Sequence, residues 1–313
     1  MTLARYVVRR LLQAIPTLFI LLIFMFILVR VLPGDPARLI AGLEATEEDV
    51  ERIRVLLGLD RPIHEQFINY MLDILRGDLG TSIKFETPVI QEILIRFPRT
   101  LELAIVAELI SIAIAIPLGI ISALRPFTKT GALATIGSLL GSSMPIYWLG
   151  LILIYVFSVN MRLLPSFGYG TPAHIVLPAF TLATLLMGNL VRITRASVLD
   201  ALESNYIVTA KAKGLSERLI IYRHALKNAL IPIITISGLQ LGALLGGAIL
   251  TESVFAWPGI GLLLLDSIYS RDYPLIQGII IFYAVILILI NLIVDIAYAF
   301  VDPRVRISLW RPE

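Results

Sequence analysis

The sequence predicts an all-α, polytopic membrane protein, and three observations carry that prediction. Of its 313 residues, 58% are hydrophobic and 16% charged, against roughly 45–50% and 25% in soluble domains. The mean hydropathy is +0.87. Apolar runs recur along the chain, each long enough, at about 20 residues, to carry a helix across a hydrocarbon core of about 30 Å. The net charge of +3 does not imply nucleic acid, because the basic residues sit beside apolar runs and not on a soluble patch. There is no cysteine, which excludes disulfides, thiolate chemistry and cysteine metal sites.

Six runs qualify as spans: 11–29, 103–124, 131–161, 175–191, 228–251 and 273–294. The third is longer than a bilayer needs at about 1.5 Å per residue, so Ser142-Ser143 and Pro145 are expected to break or kink it. No small-residue cleavage site follows the first run, which predicts a retained anchor over 1–32. Lys and Arg set the orientation. Arg5, Arg9 and Arg10 precede span one, Arg125 and Lys129 join spans two and three, and Arg304, Arg306 and Arg311 follow span six. Arg162 and Arg271 alone mark the short outward loops. Both termini and the connection between spans four and five are therefore expected in the cytoplasm.

The long, acidic connection 33–98 reads as a small helical extracytoplasmic segment, ahead of a core over 99–313. Thr46-Glu47-Glu48-Asp49 is a capping-box start for a helix to about Leu57. Gly58 to Pro62 is a turn, 63–75 a second helix, and Thr87-Pro88 opens a third. Val89, Ile90, Ile93, Leu94 and Phe97 suggest that the third lies on the membrane surface.

The second half contains one long polar stretch, 205–232, with Lys211, Lys213, Arg218, Arg223 and Lys227 against the single acid Glu217. Thr209-Ala210-Lys211-Ala212-Lys213-Gly214-Leu215 predicts a short helix ended by a glycine in the left-handed position. Ser216 is placed to cap the next helix, with Glu217 in its first turn. The product is a compact knob between two apolar runs. Charge alone would explain it as a loop held at anionic lipid, but not its alternating alanines or its glycine corner.

On Tyr206, Thr209, Ala210, Ala212, Lys213 and Gly214 the knob resembles the EAA loop of ABC-importer permeases, in the dipeptide/oligopeptide/nickel branch. His224-Ala225-Leu226-Lys227-Asn228-Ala229 resembles the same branch. Two features depart from the family-wide loop: Val208 stands where a glutamate is usual, and no Leu-Pro follows about a dozen residues after the glycine. Further resemblances are Pro33-Gly34-Asp35-Pro36, Leu57-Gly58-Leu59-Asp60, Gly77-Asp78-Leu79-Gly80, Arg271-Asp272-Tyr273-Pro274 and Asp302-Pro303-Arg304. The stretch from Thr251-Glu252-Ser253-Val254 through Phe255-Ala256-Trp257-Pro258-Gly259 is another.

The resemblance implies a type I importer permease in the inner membrane of a prokaryote, with the 197–228 connection as its coupling loop. It implies a second, usually different permease, two ATPase subunits carrying ATP and magnesium, and an extracytoplasmic solute-binding protein. Coupling to the ATPases would rest on Tyr206, Thr209, Ala210, Ala212, Lys213, Gly214, Leu215, His224, Ala225, Leu226 and Asn228. Short peptides are the expected cargo, with nickel, glutathione or oligosaccharide as alternatives.

Some residues stand outside the motifs. Glu108 interrupts span two, and an intramembrane acid is a functional candidate by default. A structural pair with Arg30, Arg96 or Arg99 is the preferred reading, with a pathway role as the alternative. Asn291 and Asp295 share a face of the last span, either holding a neighbouring helix or lining the path. Arg192 and Arg195 read as positive-inside anchors, with a gate contact as the alternative. Gly238, Gly242, Ala243, Gly246 and Gly247 allow close helix approach.

Catalytic constellations are absent from the sequence. His64, His174 and His224 have no metal-ligand spacing, and no catalytic residue or resident cofactor is expected. No Gly-x-x-x-x-Gly-Lys-[Ser/Thr] loop occurs, so ATP must act through a partner. An ATP-independent secondary transporter is the reading from another class. It would require an inverted repeat, a helix broken around a midplane site, or paired acids for ion coupling; no internal repeat is visible, and Glu108 stands alone.

Overall fold

The computed structural model describes residues 3–31, 36–41, 45–56 and 58–301, and they form helices joined by loops, with no strand among them. Pro33, Gly34, Asp35, Leu57 and the chain from Asp302 onward lie outside the described residues, as do the side chains of Arg5 and Arg30. Four helices are long and apolar enough to cross a membrane, with spans Val7–Leu28, Val89–Leu124, Pro172–Leu202 and Tyr273–Ile296. They belong to helices α1 (Leu3–Val31), α5 (Val89–Leu124), α8 (Val176–Leu202, led in by a 3₁₀ turn) and α14 (Tyr273–Val301). Two bent pairs, each counted as one span, raise the count to six.

The first bent pair is α6 (Lys129–Ser143) and α7 (Ile146–Leu153), which continues as a π-helical turn to Asn160. The two arms meet at 104°. The break falls where the sequence places it, because a proline pushes the residue before it out of the helical region. Met144 is accordingly extended, with φ −78° and ψ 139°, and Pro145 opens α7. The second pair joins Glu217–Leu230 to Pro232–Leu244 at 44°. Pro232 cannot donate to the preceding turn, and the bend follows.

The chain divides into two compact units. One takes Arg99–Pro258 with the chain from Leu289, and the other takes Leu3–Pro98 with Gly259–Ile288. In the first, α8 is the central element. Its residues Leu190, Val191 and Val198 pack with Ala115 and Ala123 of α5 and with Ala229 and Ile233 of α11 (Leu226–Gly247). Gly238 of α11 lets α14 approach closely: a Cβ there would lie 2.7 Å from Val294 Cγ2. Small residues at a helix interface do this work in membranes.

In the second unit, α2 (Pro36–Ala41) precedes α3 (Glu47–Leu56) and α4 (Ile63–Leu75). The predicted capping box at α3 forms: Thr46 N donates to Asp49 Oδ2 at 3.2 Å, and Asp49 N donates to Thr46 Oγ1 at 3.3 Å. The Thr46 hydroxyl also donates to Asp49 Oδ2, at 2.6 Å, and this bond, with the one from the Thr46 amide, holds the Asp49 carboxyl below its ordinary value. The third helix differs from expectation. It is the start of α5, continuous with span two. Val89 and Ile93 do not face a membrane surface; they are fully buried against Ile260, Leu263, Leu275 and Ile279. Their apolar stripe is core, which periodicity alone cannot distinguish from an interfacial helix.

Several motif stretches prove to be structural punctuation. Asp272 accepts from Ser82 Oγ at 2.5 Å and from Leu275 N at 3.2 Å, so it caps α14 and ties down the 82–86 turn. Trp257 is buried and donates from Nε1 to the Arg99 carbonyl at 3.0 Å.

Candidate functional site

The knob is built from α9 (Asn205–Ala212), a corner at Lys213-Gly214, and the short helix α10 (Glu217–Leu219). A π-helical turn, Ile220–Ala225, then leads into α11. The corner closes by a paired motif: Gly214 N donates to Lys211 O at 2.9 Å and Leu215 N to Ala210 O at 3.3 Å. That double bond satisfies two orphan carbonyls at a helix end and needs a left-handed residue between them. Gly214 supplies it at φ +71°. Ser216 sits at the N-cap of α10 as expected, but its side chain makes no capping bond.

Five buried residues hold the knob together: Ala201, Ile207, Ala210, Ile220 and Ala225. Among the predicted coupling residues, Ala210 and Ala225 therefore face inward and set the shape. Leu215, His224 and Leu226 are half-buried, while Tyr206, Thr209, Ala212, Lys213, Gly214 and Asn228 present an outer face. Lys211, Arg218, Arg223 and Lys227 are exposed around it. Val208 is 61% exposed and Tyr222 65% exposed, and with Tyr206 and Leu219 they are large apolar side chains exposed among the basic ones. The sequence marks Val208 only as a departure from the family loop, and nothing in it singles out Tyr222. An exposed apolar patch with a basic rim is a surface shaped for a protein partner.

The predicted membrane residues do not converge on the knob. Arg192 is exposed and Arg195 half-buried along α8, while Asn291 is exposed and Asp295 half-buried on α14. Asn291 Oδ1 lies 3.9 Å from the place a Cβ would take on Gly242 of α11, so it borders a helix contact. Glu108 is 6% exposed, and of the preferred ion pairs those with Arg96 and Arg99 are not formed, while the Arg30 side chain lies outside the described residues. Arg96 pairs with Glu92, and Arg99 lies over the Tyr169 ring, 5.0 Å from its centroid. The Ser237 hydroxyl of α11 approaches the Glu108 carboxyl, yet neither carboxyl oxygen has a hydrogen-bonding partner.

Comparison with known proteins supplies the context. Residues 115–307 match the family described as binding-protein-dependent transport system inner membrane component. Residues 3–104 match the N-terminal segment described for membrane components of the same systems. The chain is similar to the glutathione transport system permease protein GsiC of Escherichia coli O6:H1, 45% identical over 301 residues, covering 96% of this chain and 98% of that one. The GsiC of Pectobacterium atrosepticum is 44% identical over 304 residues, with the same coverage. Among solved structures, the inward-facing MetNI methionine ABC transporter shares the fold, at 17% identity and a TM-score of 0.59 over 68% of this chain and 97% of that one.

Proposed function

The chain belongs to the family of binding-protein-dependent transport system inner membrane components and is a permease subunit of an ABC importer; on that premise we propose that it forms half of a transmembrane path for glutathione. It is a multi-pass inner-membrane protein, and a permease of this kind works in an assembly with a partner permease, ATPases and a binding protein. This excludes the ATP-independent reading. The cargo rests on one observation: identity of 45% along nearly the whole chain to a glutathione permease. Glutathione is itself a short peptide, so the proposal narrows the peptide class expected from the sequence to its glutathione alternative.

In this reading the 197–228 connection faces the cytoplasm, as do both termini, and two ATPases carrying ATP and magnesium grip the knobs of two different permeases. The solute-binding protein approaches the 33–98 segment from the opposite side. The knob's role is mechanical. Val208, Tyr206 and Tyr222 would seat in an apolar socket while the lysines and arginines meet an acidic rim. ATP binding would draw the knobs together and switch the spans between inward and outward access.

The cargo is tested by ATP-dependent uptake into proteoliposomes holding the complete importer and its binding protein. Labelled glutathione should accumulate, and excess alanyl-alanine should compete weakly. Accumulation of alanyl-alanine without glutathione would restore the broader peptide reading at glutathione's expense.

A further inference from the structure

The buried acids of the described residues differ in one respect. Glu92 accepts from Thr87 Oγ1 at 2.8 Å and pairs with Arg96. Glu252 accepts from Thr100 Oγ1 at 2.7 Å, and Asp272 from Ser82 and two backbone amides. Glu108 is as deeply placed, and although the Ser237 hydroxyl approaches it, neither carboxyl oxygen is hydrogen-bonded. Nor is it alone: the hydroxyls of Ser111 and Ser237 and the amide oxygen of Gln240 are also buried without partners. Ser111 follows Glu108 by one turn on α5, and Gln240 follows Ser237 by one turn on α11, so each pair shares a helix face. Ser237 approaches Glu108, which brings the two faces together. Gln240 donates to Leu186 O of α8 at 3.2 Å, so the amide nitrogen is fixed and the oxygen is the end left over.

A seam of four polar side chains, each nine-tenths buried or more, with its acid and amide oxygens unmet, is not explained by packing. Buried polar atoms find partners in the great majority of native structures, and inside a membrane the alternative is costlier still. The unmet atoms are mostly acceptors, and one of them is a carboxylate. What completes them is a compact cation with several N–H donors.

We propose that the seam formed by Glu108, Ser111, Ser237 and Gln240 between α5 and α11 is a binding site for a primary ammonium group. The carboxylate neutralises the charge, and the hydroxyl and amide oxygens take the remaining N–H donors. Glutathione carries one such group, its α-ammonium, and that source rests on the proposed cargo; the ethanolamine headgroup of a phospholipid carries the other. The seam is closed in this conformation, so the ammonium enters when α5 and α11 part during the transport cycle.

The test is uptake by the complete importer with its binding protein, in vesicles of phosphatidylcholine with or without phosphatidylethanolamine. Phosphatidylcholine has a quaternary ammonium with no N–H donor. Glu108→Gln keeps the shape and removes the charge, and Glu108→Asp keeps the charge. The site predicts that Glu108→Gln lowers maximal glutathione uptake by about tenfold, the scale of one lost charge-assisted contact. The binding-protein concentration for half-maximal uptake and the thermal unfolding midpoint should not change, and Glu108→Asp should recover part of the rate. A loss that persists in phosphatidylcholine alone identifies the cargo as the source, and a loss that needs phosphatidylethanolamine identifies the lipid. Uptake by Glu108→Gln within about twofold of wild type in both lipids would reduce the seam to a neutral acid with a trapped water and overturn the site. A loss accompanied by a lower unfolding midpoint would make it structural and overturn it equally. If wild type carries neither glutathione nor alanyl-alanine, the cargo reading fails first, and a cargo ammonium with it.

Discussion

The knob and the α5–α11 seam lie in the same unit and are built on opposite plans. The knob buries only aliphatic residues, closes its helix end with two backbone bonds at Gly214, and turns its polar groups outward. The seam buries an acid, two hydroxyls and an amide, and leaves an oxygen of each without a partner. In the proposed reading the knob transmits force and must hold one shape, and satisfied backbone with a dry core gives it that. A part that exchanges partners during a cycle cannot be satisfied in every state. Unmet polar atoms mark where the second state makes its contacts.

The contrast can be strained from several sides. The largest expected effect comes from Ile207→Ala, which empties the centre of the knob at a cost of about 2–5 kcal/mol. Trypsin should then cleave faster at Lys211 and Lys213, while the six spans stay inserted; unchanged cleavage would mean the knob has no core of its own. Gly238→Val comes next. Its added carbons meet Val294, and overpacking of this kind costs about 1–3 kcal/mol. The unfolding midpoint in detergent should fall, with the knob's protease resistance kept.

Gly214→Ala is smaller. Nothing lies within 4 Å of the added Cβ, so only the left-handed backbone is penalised, by about 1–2 kcal/mol. Gly214→Asn should cost less, and equal costs would contradict the backbone explanation. The smallest effect lies outside both regions, at Asp49. Its carboxyl is held below the ordinary aspartate value by the bonds from the Thr46 hydroxyl and amide. Its contribution is therefore present above the ordinary aspartate range and lost as pH falls through the lower folded value. Amide exchange in α3 should quicken in that acid window in wild type, and Asp49→Asn should lack the transition.

Much of this was legible in the sequence because it depends on local chemistry. The Pro145 break, the Gly214 corner, the Thr46 cap and the six apolar runs are each set by residues within a few positions of one another. What the sequence hid depends on contacts far along the chain. Val89 and Ile93 have an interfacial periodicity, and only Ile260 and Ile279 make them core. Glu108 looked like half of an ion pair because arginines lie nearby in sequence, but Arg96 is held by Glu92 and Arg99 by Tyr169. Ser237 meets it from 129 positions along the chain, the difference of 237 and 108. The exposure of Val208 and Tyr222 was hidden because it cannot be read from composition for side chains between two membrane helices.

The most direct test of the knob as the coupling element is co-purification of the ATPases from native membranes with wild type and with Gly214→Arg. The corner has open space for a larger residue but not the backbone for one, so the six spans should insert normally. The account predicts that an ATPase pair accompanies wild type and is lost from the variant, together with solute-stimulated ATP hydrolysis. Retention of the pair by a correctly inserted Gly214→Arg protein would contradict it, and would place the grip of the ATPases elsewhere on the chain.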